Sequence, residues 1–65
     1  MTELETFTRN IHNKKSETYE RLTEDINKYA KEKDLYIKSI HYDRLDDVII
    51  ANVLFSNIPD EIFVL

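Results

Sequence analysis

His41 stands two residues before Asp43 and just ahead of Asp46 and Asp47, and an imidazole beside carboxylates is a donor set that can ligate a cation or move a proton. The competing account is a histidine at a strand margin next to acids that solvate a turn. The second account is preferred, because the cluster matches no fixed ligand spacing and the turn lacks the glycine of a calcium loop. His12, in the basic run that includes Arg9, Lys14 and Lys15, reads as a helix end. Glu3 with Glu5 and Asp46 with Asp47 are carboxylate pairs, but nothing in the pattern builds a pocket around either. The chain has no cysteine and no glycine, so thiolate chemistry, the common zinc sets and a glycine-rich phosphate loop are excluded. No serine sits in a nucleophile-elbow context. Tyr36 and Tyr42 flank Lys38 and could stack bases. A net charge of −4 and the apolar neighbours Ile40, Val48 and Ile50 argue against a nucleic-acid face. The expectation is a non-enzymatic protein with no cofactor, no metal and no small-molecule substrate.

With 65 residues the chain forms a single small domain, 1–65. A chain near this size hides only about 60% of the surface it exposes when unfolded, so its core is small. Disulfides are excluded, which leaves association with a second subunit as the available extra source of stability. No signal-peptide pattern and no apolar run long enough to span a bilayer is visible, so the expected location is cytoplasmic and no membrane is involved. Lys, Asn, Ile, Tyr and Phe supply 26 of the residues against 6 from Gly, Ala, Arg and Pro, which points to a low-GC bacterium or its bacteriophage. Without glycine, any turn that needs positive φ must use Asn or Asp, and Asn13, Asp34, Asp46 and Asn57 are placed for it.

The positioning elements centre on Val48-Ile49-Ile50-Ala51-Asn52-Val53-Leu54-Phe55, a run rich in β-branched and aromatic residues that is apolar on both faces of a strand. Such a strand lies inside a sheet or has a partner. Leu35 to Tyr42 reads as a second strand, joined to the first through 43–47 as an antiparallel hairpin. Pairing symmetric about Leu45 places Leu35, Ile37, Ser39 and His41 with Ile49, Ala51, Val53 and Phe55 on one face. Tyr36, Lys38, Ile40 and Tyr42 then share the other with Val48, Ile50, Asn52 and Leu54. The spacing of Ile37 and Ile40 hints at a bulge near Lys38-Ser39 that would exchange part of these sets.

Ser16 is expected to cap a helix running to Lys33, with Tyr19, Leu22, Ile26, Tyr29 and Ala30 as its apolar stripe and Lys31 and Lys33 in its last turn. Upstream, Thr2 and Glu5 have capping-box spacing, and Met1, Leu4, Phe7 and Ile11 fall on one helical face, which predicts a first helix over residues 2–12. The rival is a strand over Leu4 to Ile11, with Leu4 and Phe7 on opposite faces. After the hairpin, Pro59 breaks the strand, Pro59-Asp60-Glu61 could open one helical turn, and Ile62 to Leu65 runs apolar as a short strand, a turn or a free tail. The expected fold is α+β: two helices followed by an antiparallel β-hairpin, with β-α-β-β as the alternative.

One helical layer covers one face of a sheet. The face left over carries Tyr36, Ile40, Tyr42, Val48, Ile50 and Leu54, and with Ile62, Phe63 and Leu65 it forms the expected protein interface. Three accounts compete for it: cover by the first helix and the C-terminal segment, self-association, or a different protein partner. Size, acidic low-GC composition and helix-then-hairpin order resemble those of many small phage and sporulation proteins of Firmicutes, without a motif that names a family. The functional expectation is a small acidic protein-binding module, such as a phage or mobile-element product that binds and modulates a host protein. The alternative is a self-associating, homodimeric structural protein.

Overall fold

In the computed structural model, which describes residues 2–59, the chain runs β1 (Thr2–Asn10), α1 (Lys15–Lys33), β2 (Tyr36–Leu45) and β3 (Val48–Ser56). The strands form one antiparallel sheet in the order β1-β3-β2, with α1 packed on one face. The run of residues apolar on both faces is therefore the central strand. The order is β-α-β-β, with one helix among the described residues, and the expected two-helix arrangement is corrected to it.

Residues 2–12 are the point of departure. Thr2, Leu4, Thr6 and Thr8 alternate with Glu3, Glu5, Phe7 and Arg9, a period of two in which Thr is the recurring type. β-branched threonines suit a pleated strand and lose side-chain freedom in a helix. The decisive cause is tertiary, because β3 has two ladder edges and β2 occupies only one. β1 fills the other in unbroken register from Thr2↔Ser56 to Asn10↔Val48, and the Ile11 N–H donates to the Asp47 carbonyl at 2.6 Å. Leu4 and Phe7 accordingly lie on opposite faces, Leu4 at 68% exposure and Phe7 packed against the core.

Helix α1 begins at Lys15, with Lys14 as an extended N-cap residue that makes no side-chain capping bond, so Ser16 lies inside the first turn and is not the cap. Its lower face is set by the four-residue spacing of Thr18, Leu22, Ile26 and Ala30, all buried. The helix ends in a Schellman motif: Asp34 is left-handed at φ 57, its N–H donates to Lys31 O, and the Leu35 N–H donates to Ala30 O at 2.8 Å. Asn13 and Asp46 also take positive φ, as the absence of glycine requires, while Asn57 does not. The core comprises Leu22, Ile26 and Ala30 from the helix and Ile49, Ala51, Val53 and Phe55 from β3, with Phe7, Tyr29, Leu35, Ile37 and Tyr42 around it.

The hairpin turn is shorter than a turn centred on Leu45. Leu45 pairs with Val48 across a two-residue loop, Asp46-Asp47, and the pairs continue through Tyr42↔Ala51 and Ile40↔Val53. This is an odd-numbered shift from the expected register, and it turns residues 39–45 over. Ile40 and Tyr42 therefore share the helix-covered face, and Ser39 and His41 share the open one. The ladder then shifts between Ile37 and Ser39, at the suspected bulge, and the turn-over is undone. Ile37 pairs with Phe55 and Tyr36 with Ser56, on their expected faces.

Asp34 occupies a backbone region that favours glycine, so Asp34→Gly should stabilise the domain by up to about 1 kcal/mol. For a domain this small that corresponds to a melting temperature about 4–8 °C higher. Thermal unfolding followed by circular dichroism checks it, with Asp34→Val expected to shift the transition downward.

Candidate functional site

The face of the sheet opposite α1 carries no packed element among the described residues. Because β1, β3 and β2 are in register, its side chains form rows across the strands. Asn10, Val48 and Leu45 make one row, followed by Thr8, Ile50 and Asp43, then Thr6, Asn52 and His41, then Leu4, Leu54 and Ser39. Tyr36 continues the last end beside Ser56. The face has two apolar ends, Leu45 with Val48 and Ile50, and Leu4 with Leu54 and Tyr36. A polar middle row separates them, in which the Thr6 hydroxyl donates to Asn52 Oδ1 at 2.9 Å.

Of the residues expected at the interface, Tyr36, Val48, Ile50 and Leu54 lie together here. Val48, Ile50 and Leu54 are half-buried between the flanking strands, and Tyr36 is 48% exposed. Ile40 and Tyr42 are on the opposite, helix-covered side. Tyr42 packs edge-on against Tyr19, ring centroids 5.1 Å apart, so it belongs to the core margin. Ile62, Phe63 and Leu65 lie outside the described residues, as do Asp60 and Glu61 of the helical turn expected over Pro59-Asp60-Glu61. Leu4 and Leu45, at 68% and 65% exposure, are members of this face that sequence reasoning missed. The helical spacing of Met1, Leu4, Phe7 and Ile11 places Leu4 in a helix, and pairing symmetric about Leu45 places Leu45 in the turn. The signal that finds them is the alternation of β1 and the minimum hairpin loop.

Tyr36 and Tyr42 project from opposite faces, so they do not form a stacking platform for bases. His41 Nε2 lies 3.5 Å from Asp43 Oδ2, with both side chains largely exposed, at 75% and 60%. Among the described residues no group of three or more His, Asp or Glu side chains is arranged to hold a metal ion. A cleft of about 240 Å³ between the end of β1 and the first turns of α1 is lined by Arg9, His12, Asn13 and Arg21 among others. Arg9 is already engaged there: its Nε and Nη2 donate to the two carboxylate oxygens of Asp25 at 2.7 and 3.1 Å. The hydrogen bond from Arg9 holds Asp25 below the usual carboxylate range. The pair is exposed on both sides, so solvent screens it and it adds little to stability.

The helix-covered face holds one cluster that the sequence did not reveal. Glu3 and Glu5 point inward from β1, toward the core side, where a carboxylate needs a hydrogen-bond donor. Tyr29 supplies it, donating its hydroxyl to Glu3 Oε2 and approaching Glu5 Oε1 at 3.3 Å. Its ring packs against Phe55 at 5.0 Å and edge-on against Phe7 at 5.5 Å, with Lys33 Nζ 6.0 Å from the ring centroid. The hydrogen bond to the Glu3 carboxylate, burial and the negative charge of both glutamates raise the phenol well above its ordinary value. The arrangement ties the helix to β1.

No helix among the described residues is long and apolar enough to cross a membrane. Comparison with protein families, curated proteins and solved structures finds no match to this chain.

Because Tyr29 ionises at higher pH when folded than when unfolded, its contribution to stability is complete below the ordinary tyrosine value of about 10 and is lost as pH rises through the raised folded value. Urea unfolding across pH 8 to 12 should therefore show stability falling above about pH 10. Tyr29→Phe should give a flatter profile over that range and a lower midpoint at pH 8.

Proposed function

We propose that the protein is a non-enzymatic binding module that engages another protein through the helix-free face of its sheet. The observation that carries this reading is that Leu4, Tyr36, Leu45, Val48, Ile50 and Leu54 lie on one face of a three-stranded sheet whose single described helix is on the other side. Fully burying a large apolar side chain is worth roughly 1.5–3 kcal/mol, while association costs about 4–15 kcal/mol. Six such groups therefore supply enough for a specific contact only if a partner covers both apolar ends. The Thr6, Asn52 and His41 row between them would give that contact its polar register. The partner chemistry that fits is a protein surface with two apolar ridges separated by hydrogen-bonding groups.

In its more specific form, the module is a phage or mobile-element product that binds and modulates a host protein in the cytoplasm of a low-GC bacterium. Size and composition support that form. The helix-then-hairpin order that also pointed there is replaced by β-α-β-β, so it adds no support.

The test compares the wild-type chain with Ile50→Glu as baits in a lysate of a low-GC bacterium, followed by reconstitution with the purified captured protein. A stoichiometric complex that forms with the wild type and weakens at least about tenfold with Ile50→Glu, while the variant keeps its helical circular dichroism, is the expected result. Absence of any stoichiometric partner, or equal binding by the variant, overturns the reading. If Ile50→Glu unfolds the chain, the exposed Leu4→Glu substitution takes its place.

A further inference from the structure

The two edges of the sheet differ. The β2 edge is interrupted by the bulge at Lys38 and carries Asp43 and Arg44, devices that discourage another strand from pairing. The β1 edge is continuous: nine residues in unbroken register, without proline, lysine or a bulge, and its charged residues Glu3, Glu5 and Arg9 are held on the helix side by Tyr29 and Asp25. The Ile11 N–H points toward β3, and backbone groups of an antiparallel strand alternate in direction. The N–H and C=O groups of Thr2, Leu4, Thr6, Thr8 and Asn10 therefore face outward from the edge, and no strand pairs with them among the described residues.

We propose that this edge pairs with β1 of a second copy of the chain, antiparallel and two-fold about Thr6, joining two three-stranded sheets into one of six strands. The register follows from the strand itself. Centring the two-fold on Thr6 sets Thr2 against Asn10, Leu4 against Thr8 and Thr6 against its own equivalent, so every outward group finds a partner in about ten hydrogen bonds. Other centres leave outward groups at the ends unpaired. The same register brings opposite charges together on the helix side. Glu3 faces Arg9 of the second copy, whose Nη1 lies outside the Asp25 pair, and Glu5 is its diagonal neighbour. A strand with the order Glu, Glu, Arg is complementary to itself only when antiparallel.

The helices accommodate the pairing. Helix α1 reaches over β1 through Tyr29 to Glu3 and Asp25 to Arg9, and it packs on β3 through Ile26 and Ala30. With strands ~4.8 Å apart, two helices so placed about the two-fold lie about 10 Å apart, a helix-packing distance. This interface uses the edge and not the open face. It stands or falls independently of the partner surface described above, and it would present two copies of that surface side by side.

Sedimentation equilibrium from low micromolar concentration upward should give twice the 7.8 kDa chain mass. Thr6→Pro removes an outward N–H at the two-fold without touching the β1–β3 ladder, so it should return the mass to that of one chain with helical circular dichroism retained. Because the chain has no cysteine, Thr6→Cys introduces a sole thiol that meets its equivalent across the two-fold. Mild oxidation should convert it to a covalent dimer, whereas Thr8→Cys, opposite Leu4, should cross-link at least tenfold more slowly. A single-chain mass at all concentrations overturns the proposal. So does a folded Thr6→Pro variant that stays dimeric, or cross-linking of Thr8→Cys as fast as Thr6→Cys. A dimer dissociated by Ile50→Glu and indifferent to Thr6→Pro would assign the association to the open face instead. If Thr6→Pro does not fold, the two cysteine variants decide.

Discussion

The structure depends on a mismatch in β3. This strand brings apolar side chains to both faces of the sheet and has two ladder edges, yet the described chain offers only one helix and two further strands. The strands satisfy both edges. The helix satisfies one face, burying Ile49, Ala51, Val53 and Phe55 completely, and Val48, Ile50 and Leu54 on the other face are only half-covered by their neighbours. Burial of apolar area is the main favourable term in folding. The asymmetry between the two faces therefore determines where stability resides and which surface is left to meet something else.

Recruiting β1 to the sheet brings two carboxylates onto the helix-covered side. Glu3 and Glu5 are tolerated there because they sit at the sheet margin and share the Tyr29 hydroxyl, while Arg9, farther along the strand, is held by Asp25. These polar ties join α1 to β1 along the side where the apolar core thins out. They also place acids at one end of the strand and a base at the other on a single face. That order leaves one edge of the sheet complementary to a copy of itself, while the bulge and charges of β2 discourage pairing at the opposite edge.

Much of this was legible in the residues. The central position of Val48 to Phe55 followed from a run apolar at both parities, and the α1 stripe followed from four-residue spacing. Turn residues with positive φ at Asn13, Asp34 and Asp46 followed from the absence of glycine. The bulge was legible as the three-residue spacing of Ile37 and Ile40. The open face was legible in part: Tyr36, Val48, Ile50 and Leu54 lie on it, while the sides of Ile40 and Tyr42 depended on a turn length that acidic residues at 43, 46 and 47 do not specify. Leu4 and Leu45 were hidden because their placement depends on what β1 pairs with and where the hairpin closes.

The sequence by itself determined the elements whose local pattern and burial agree: one amphipathic helix, one strand apolar on both faces, and a chain without the residues for thiolate or phosphate-loop chemistry. Only the tertiary structure decided residues 2–10, where a capping-box spacing and a helical apolar pattern overlay a strand alternation. Local propensities differ there by a fraction of a kcal/mol per residue. The unpaired edge of β3 offers a whole ladder of backbone hydrogen bonds to a strand and none to a helix, so that long-range pairing outweighs the local preference.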